Sequence, residues 1–143
     1  MRSYLVVGNQ TLAGPELASI IEEVMAQDGE TAFHVVVPAT PVQRGFTWDE
    51  GEARAEAQRR LDAFLDRLRP MGAEVSGEIG SRDPIEAAQD ALRGHPCDEI
   101  ILSTLPSGIS RWLGQDVPTR LRGSVPIPVR VVTAARESVE AAG

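Results

Sequence analysis

The chain has 143 residues, 42% of them hydrophobic, which suits one globular domain with a full core. Its 21 acidic residues outnumber 14 basic ones, all arginine, and the net charge of -7 excludes a protein held to nucleic acid by electrostatics. The single cysteine, Cys97, excludes an internal disulfide and a thiolate metal cluster, and no apolar run reaches membrane-spanning length.

Tyr4 to Val7 is a continuous apolar run, the pattern of a strand buried on both faces. It is too short for a signal peptide, so the expectation is a cytoplasmic protein. Gly8, Asn9, Gln10 and Thr11 follow as a polar loop. Gly14-Pro15 opens a helix whose apolar residues Leu17, Ile20, Ile21, Val24 and Met25 share one face, and Gly29 ends it. Phe33 to Val37 reads as a second buried strand. His34 lies inside it and is expected to be a packed, hydrogen-bonded histidine. Pro38 and Pro41 stop this strand, and Ala39 to Thr47 form a loop long enough to cover a site, with Trp48 anchoring its end.

Asp49 to Leu68 is expected to be the longest helix. Ala53, Ala57, Leu61, Phe64, Leu65 and Leu68 make its apolar stripe, and the alternating Glu and Arg residues read as a solvated face. Asp49, Glu50 and Glu52 suit a helix N-terminus, and no metal site is expected there or elsewhere. Ala73 to Ile79 alternates, with Val75, Gly77 and Ile79 on one side and Glu74, Ser76 and Glu78 on the other, as on an edge strand. Asp83-Pro84 caps a further helix that Gly94 ends. Cys97 reads as a semi-buried, inert thiol.

The stretch from Asp98 to Asp116 is the most informative. Ile100, Ile101 and Leu102 form a strand, Ser103 to Ser107 a polar turn, and a helix is expected from Ile109 to about Arg122, broken near Pro118. Pro126 to Val132 is a last strand, with Ile127, Val129 and Val131 on one face. Pro126 and Pro128 donate no ladder bonds, so it belongs at an edge. Residues 134–143 read as a tail, leaving one α/β domain over 1–133.

Five strands joined by four helices predict a mostly parallel open sheet with helices on both faces. Ligands then belong outside the carboxyl ends of the first and fourth strands, where the connections change direction. Gly8, Asn9 and Gln10 line one side of that crevice. Ser103, Thr104 and Ser107 line the other, with the amide of Gly108 and Arg111 nearby. A nucleotide or a small anion fits such donors. No nucleophile and base pair is present in the expected crevice, so no catalytic residue is assigned.

The order of elements and the length resemble the universal stress protein family, whose fold is of the adenine nucleotide alpha hydrolase-like type. Tyr4-Leu-Val-Val-Gly-Asn-Gln-Thr11 looks like its first strand and loop. Val125-Pro-Ile-Pro-Val-Arg-Val-Val132 is similar to its Pro-x-Pro-Val final strand, and Ile101 to Val132 aligns without gaps to its last strand-helix-strand unit. The resemblance implies pairing of the final strand with a second copy, through Ile127, Val129 and Val131, to give a homodimer. Nucleotide-binding members carry Gly-x-x-Gly and, about nine residues further, Gly-Ser or Gly-Thr, through which the main chain approaches phosphates. Leu102, Leu105, Gln115 and Asp116 stand at those positions, and Asn9 replaces the aspartate that follows the first strand. The expectation is a degenerate nucleotide site in a non-catalytic binding or regulatory module. The alternatives are a nucleotide hydrolase or transferase on the same scaffold and a ligand-free dimeric scaffold.

Overall fold

The computed structural model describes residues 1–39, 50–105 and 116–134. The elements are β1 (Arg2–Val7), α1 (Pro15–Asp28), β2 (Thr31–Pro38), α2 (Glu50–Leu68), a 3-10 turn (Arg69–Met71), β3 (Glu74–Gly80), α3 (Pro84–Gly94), β4 (Glu99–Thr104), α4 (Val117–Ser124) and β5 (Val129–Thr133). The strands form one sheet in the order β3-β2-β1-β4-β5, and every adjacent pair is parallel.

Side-chain alternation divides the core into two layers. Tyr4, Val6, Phe33, Val35 and Val37 face α1 and α2, where they meet Leu17, Ile21, Val24, Leu61 and Phe64. Leu5, Val7, Val36, Ile100 and Leu102 face α3 and α4, where they meet Ile85, Ala88, Ala91, Val117 and Leu121. Central strands therefore bury both faces, which is why β1, β2 and β4 read as largely apolar runs, broken in β2 only by His34. β3 lies at an edge and alternates instead, as its sequence does. A Cβ on Gly77 would stand 2.6 Å from Leu61 Cδ1 and 3.1 Å from the Val35 carbonyl, so only glycine lets α2 lie this close to β3.

The boundaries of five elements differ from the sequence reading. β2 and β3 are each displaced or lengthened at their ends, because the ladder continues from Ala32 opposite Glu74 to Pro38 opposite Gly80. β4 continues through Ser103 and Thr104, which pair with Val132 and Thr133, so these two residues belong to the strand and not to a turn. β5 begins only at Val129. Pro126 and Pro128 precede it, and the Pro128 carbonyl accepts from the Ile100 amide without requiring an N–H from proline. Ile127 therefore lies before the strand, although it packs on the same core layer as Val129 and Val131. Finally, α4 starts afresh at Val117 with Pro118 in its first turn, where proline costs little. Asp116 before it has φ 55°, a left-handed conformation that a continuous helix does not allow.

Candidate functional site

β1 connects onward to β2 on one side of it, and β4 connects onward to β5 on the other, so the direction of winding reverses between β1 and β4. The loop after β1 and the last residues of β4 flank that point. Gly8 is buried, and a Cβ on it would meet Leu12 Cδ2 at 3.0 Å and Ser103 Cβ at 3.2 Å. Its role here is close packing of β1 against β4. Leu12, itself buried, closes the floor.

Of the hydroxyls read as ligand donors, those of Ser103 and Thr104 are turned inward. Thr11 and Ser103 share a hydrogen bond between their hydroxyls, and both residues are only 2% exposed. Thr104 lies 3.3 Å from the Thr133 hydroxyl and is also buried. Asn9 is fixed at both ends of its amide. Its Nδ2 donates to the Pro38 carbonyl at 2.9 Å, and its Oδ1 accepts from Arg60 Nη1 at 2.7 Å. Arg60 comes from α2, where its Nη2 stands 3.7 Å from Glu56 Oε2. Thus Asn9 ties the ends of β1 and β2 together and holds a guanidinium beside the loop.

Gly8, Asn9, Gln10, Ser103 and Thr104 are therefore gathered at the carboxyl ends of β1 and β4. Ser107, Gly108, Arg111, Gln115, Trp48, most of the long loop and residues 135–143 of the tail lie outside the described residues. Leu102 is fully buried in the α3 and α4 layer, so its side chain enters the core and not the crevice. Leu105 follows β4 and is half-buried. Asp116 keeps a backbone conformation that suits glycine best while carrying a carboxylate, and that carboxylate makes no cap bond to α4.

Sequence reasoning missed Thr11, Glu56 and Arg60. The two charged residues of α2 were placed on its solvated face, yet Glu56 is 8% exposed and Arg60 is largely covered. A signal was available: Arg60 is three residues after Ala57 and four before Phe64, inside the apolar stripe.

A second group of polar side chains lies on the α3 face of the sheet, away from the crevice. His34 is 5% exposed. Its Nδ1 is 2.7 Å from the Ser76 hydroxyl and its Nε2 2.6 Å from Glu78 Oε2. The His95 ring, just past α3, stacks on His34 with centroids 3.7 Å apart and an 11° tilt. His95 Nδ1 stands 3.9 Å from the same Glu78 oxygen. Next to it, Cys97 donates its thiol to the His95 carbonyl at 3.1 Å. Burial, with Asp98 adding to it, pushes that thiol up to about 11. Cys97 is therefore a protonated, weakly reactive group at neutral pH, as its sequence context suggested.

Fold and crevice together define a doubly wound parallel α/β protein of the kind that places ligands at a switch point. No family model matches the sequence, and no curated protein does. Solved structures do match. A universal stress protein family protein from Arabidopsis thaliana with AMP bound superposes with a TM-score of 0.68 at 9% identity, covering 99% of this chain and 97% of that one. One from Burkholderia pseudomallei gives 0.61 at 19% identity, covering 91% and 94%. A universal stress protein in complex with cAMP gives 0.61 at 14% identity, covering 94% and 98%. The chain has the universal stress protein fold over essentially its whole length. Among the described residues no helix is long and apolar enough to cross a membrane.

Proposed function

We propose that this chain is a divergent universal stress protein that acts as a cytoplasmic, non-catalytic binding or regulatory module. Its ligand is a mononucleotide or a small anion taken at the crevice, and it does not hold ATP in the manner of the glycine-motif members. The observation that carries this reading is the Asn9–Arg60 pair, which puts a positive group beside the loop where the resemblance implies an acidic side chain. The AMP and cAMP bound by proteins of the same fold support a mononucleotide. Against a triphosphate stand the inward-turned hydroxyls of Ser103 and Thr104 and the carboxylate at Asp116.

The same reading makes the protein a homodimer through β5, an edge strand whose outer side pairs with no other strand among the described residues. Ile127, Val129 and Val131 are half-buried without a second copy.

Thermal unfolding and calorimetry with AMP, cAMP, ATP and inorganic phosphate test the ligand. AMP or cAMP is expected to raise the midpoint by mass action, ATP to do no more than phosphate, and Arg60→Met to abolish the response. Silence from every ligand favours the ligand-free scaffold. Stoichiometric ATP retained through purification restores the family manner of binding, and ATP turnover lost in Ser103→Ala makes the protein a hydrolase. A monomeric mass by light scattering at micromolar concentration removes the dimer.

A further inference from the structure

We propose that His34, Glu78 and His95 form a binding site for a borderline divalent metal ion of the Zn²⁺ class. Three donor atoms, one from each side chain, all lie within 4.8 Å of one another. They arrive from β2, from the edge strand β3 and from the connection after α3. The register that sets His34 opposite Ser76 puts Glu78 on the same face two residues on.

The chemistry of the donors selects the ion. Two imidazoles and one carboxylate suit Zn²⁺, Co²⁺ or Ni²⁺, whereas Mg²⁺ and Ca²⁺ require oxygen donors. Two imidazoles and a glutamate also leave a tetrahedral ion one position for water or a small anion. Ser76 completes the arrangement from behind. With the ion on Nε2 of His34, the ring proton resides on Nδ1 and donates to the Ser76 hydroxyl, now 2.7 Å away. Such an outer partner holds a ligand ring in its tautomer and orientation.

Two of the three ligands must shift to take the ion. Tetrahedral ligands on bonds of about 2.0–2.1 Å stand roughly 3.3 Å apart, so the partly exposed Glu78 carboxylate, 2.6 Å from His34 Nε2, draws back. An ion also lies in the plane of each imidazole, which two stacked rings do not allow. His34 is buried and fixed, so His95 supplies the larger movement. Its side chain is 50% exposed, while its backbone amide is anchored to the Ala91 carbonyl at 2.8 Å. A turn of the His95 side chain unstacks the rings and brings its Nδ1 toward Glu78. The bound ion would then link edge strand β3 to β2 and to the chain entering β4.

Tag-free protein, stripped with a chelator and dialysed, is titrated with Zn²⁺ at neutral pH by calorimetry and with Co²⁺ by visible absorbance. One ion per chain is expected, with a tetrahedral cobalt spectrum, a raised unfolding midpoint with Zn²⁺ and no response to Mg²⁺. His95→Ala and Glu78→Gln change half-exposed side chains and keep the bond from His34 to Ser76. Each is expected to weaken Zn²⁺ binding by about tenfold or more, and His95→Cys to restore it. Absence of saturable one-to-one binding at micromolar zinc overturns the proposal. So does binding that His95→Ala and Glu78→Gln leave unchanged, since it places the ion elsewhere.

Discussion

The crevice at the ends of β1 and β4 and the histidine cluster beside β3 are both polar islands against a tightly packed sheet, but they differ in what their side chains leave exposed. In the crevice, hydroxyl meets hydroxyl and amide meets carbonyl, so the groups close on one another and knit the strand ends together. In the cluster, two rings and a carboxylate converge, and one ring remains half exposed. A position in the fold where ligands usually bind is thus partly converted to structure. A position with no such reputation pairs His34 with Ser76 and Glu78 but keeps the half-exposed His95 ring beside them. Topology says where a site is geometrically convenient, and the bonding of the side chains says whether it is still available.

The contrast can be attacked most strongly at Gly8. If this residue serves packing between β1 and β4, Gly8→Val is expected to destabilise the protein by about 2–3 kcal/mol in urea unfolding, through overpacking against Leu12 and Ser103. An unchanged midpoint would mean that the strand ends yield and the crevice is looser than its contacts imply.

Cys97 tests the other region, since it adjoins His95 without joining the cluster. Its thiol is raised from 9.0 to about 11, so its thiolate fraction at neutral pH is about a hundredfold below that of an unperturbed cysteine. Alkylation by iodoacetamide, followed by mass spectrometry, is expected to be correspondingly slow and to rise about tenfold per pH unit until about pH 11. The sign for stability follows. The unfolded thiol ionises first, so this group weakens folding as pH climbs through 9 towards 11 and has no effect below.

A smaller effect separates spent hydroxyls from available ones. Thr11→Val and Ser103→Ala each strand a buried partner and are expected to cost about 1–2 kcal/mol. The double variant removes both and is expected to cost less than the sum. Strict additivity in the denaturation midpoints would show that the two hydroxyls do not depend on each other. Smallest of all, Asp116→Gly relieves a left-handed aspartate but loosens the unfolded chain. A net gain of a few tenths to about 1 kcal/mol is expected, with no change at the histidine cluster. A loss of stability there would assign the aspartate a contact that offsets its backbone cost.

The fold was readable because its signals are local and redundant. The apolar runs of β1, β2 and β4, the alternation of β3 and the Asp83 cap, whose carboxylate accepts from the Ile85 amide at 3.0 Å, each stand in a few consecutive residues. The crevice was readable in outline, since order of elements alone brings Gly8, Asn9, Ser103 and Thr104 together. What was not readable was the use of those groups. Nothing in a polar loop says that Thr11 bonds Ser103, and an arginine among alternating charges looks solvated until the stripe around Arg60 is traced. The boundary of β4 was missed for a related reason, because serine and threonine suggest a turn where a neighbouring strand continues to pair with them. His34, Glu78 and His95 carried no signal at all. They lie on three separate elements with no metal-ligand spacing, and only the parallel register joins them.

The central place of β1 also bears on how a nascent chain matures. Its neighbour on one side, β2, leaves the ribosome soon after it, but the Ser3 amide waits for a carboxylate 95 residues later, on Asp98, and Tyr4 for its register partner Glu99. At ordinary rates of translation that interval is about 5–20 seconds. Throughout it, one side of this apolar central strand is an unguarded edge, so the early intermediate is a form exposed to aggregation and to chaperones.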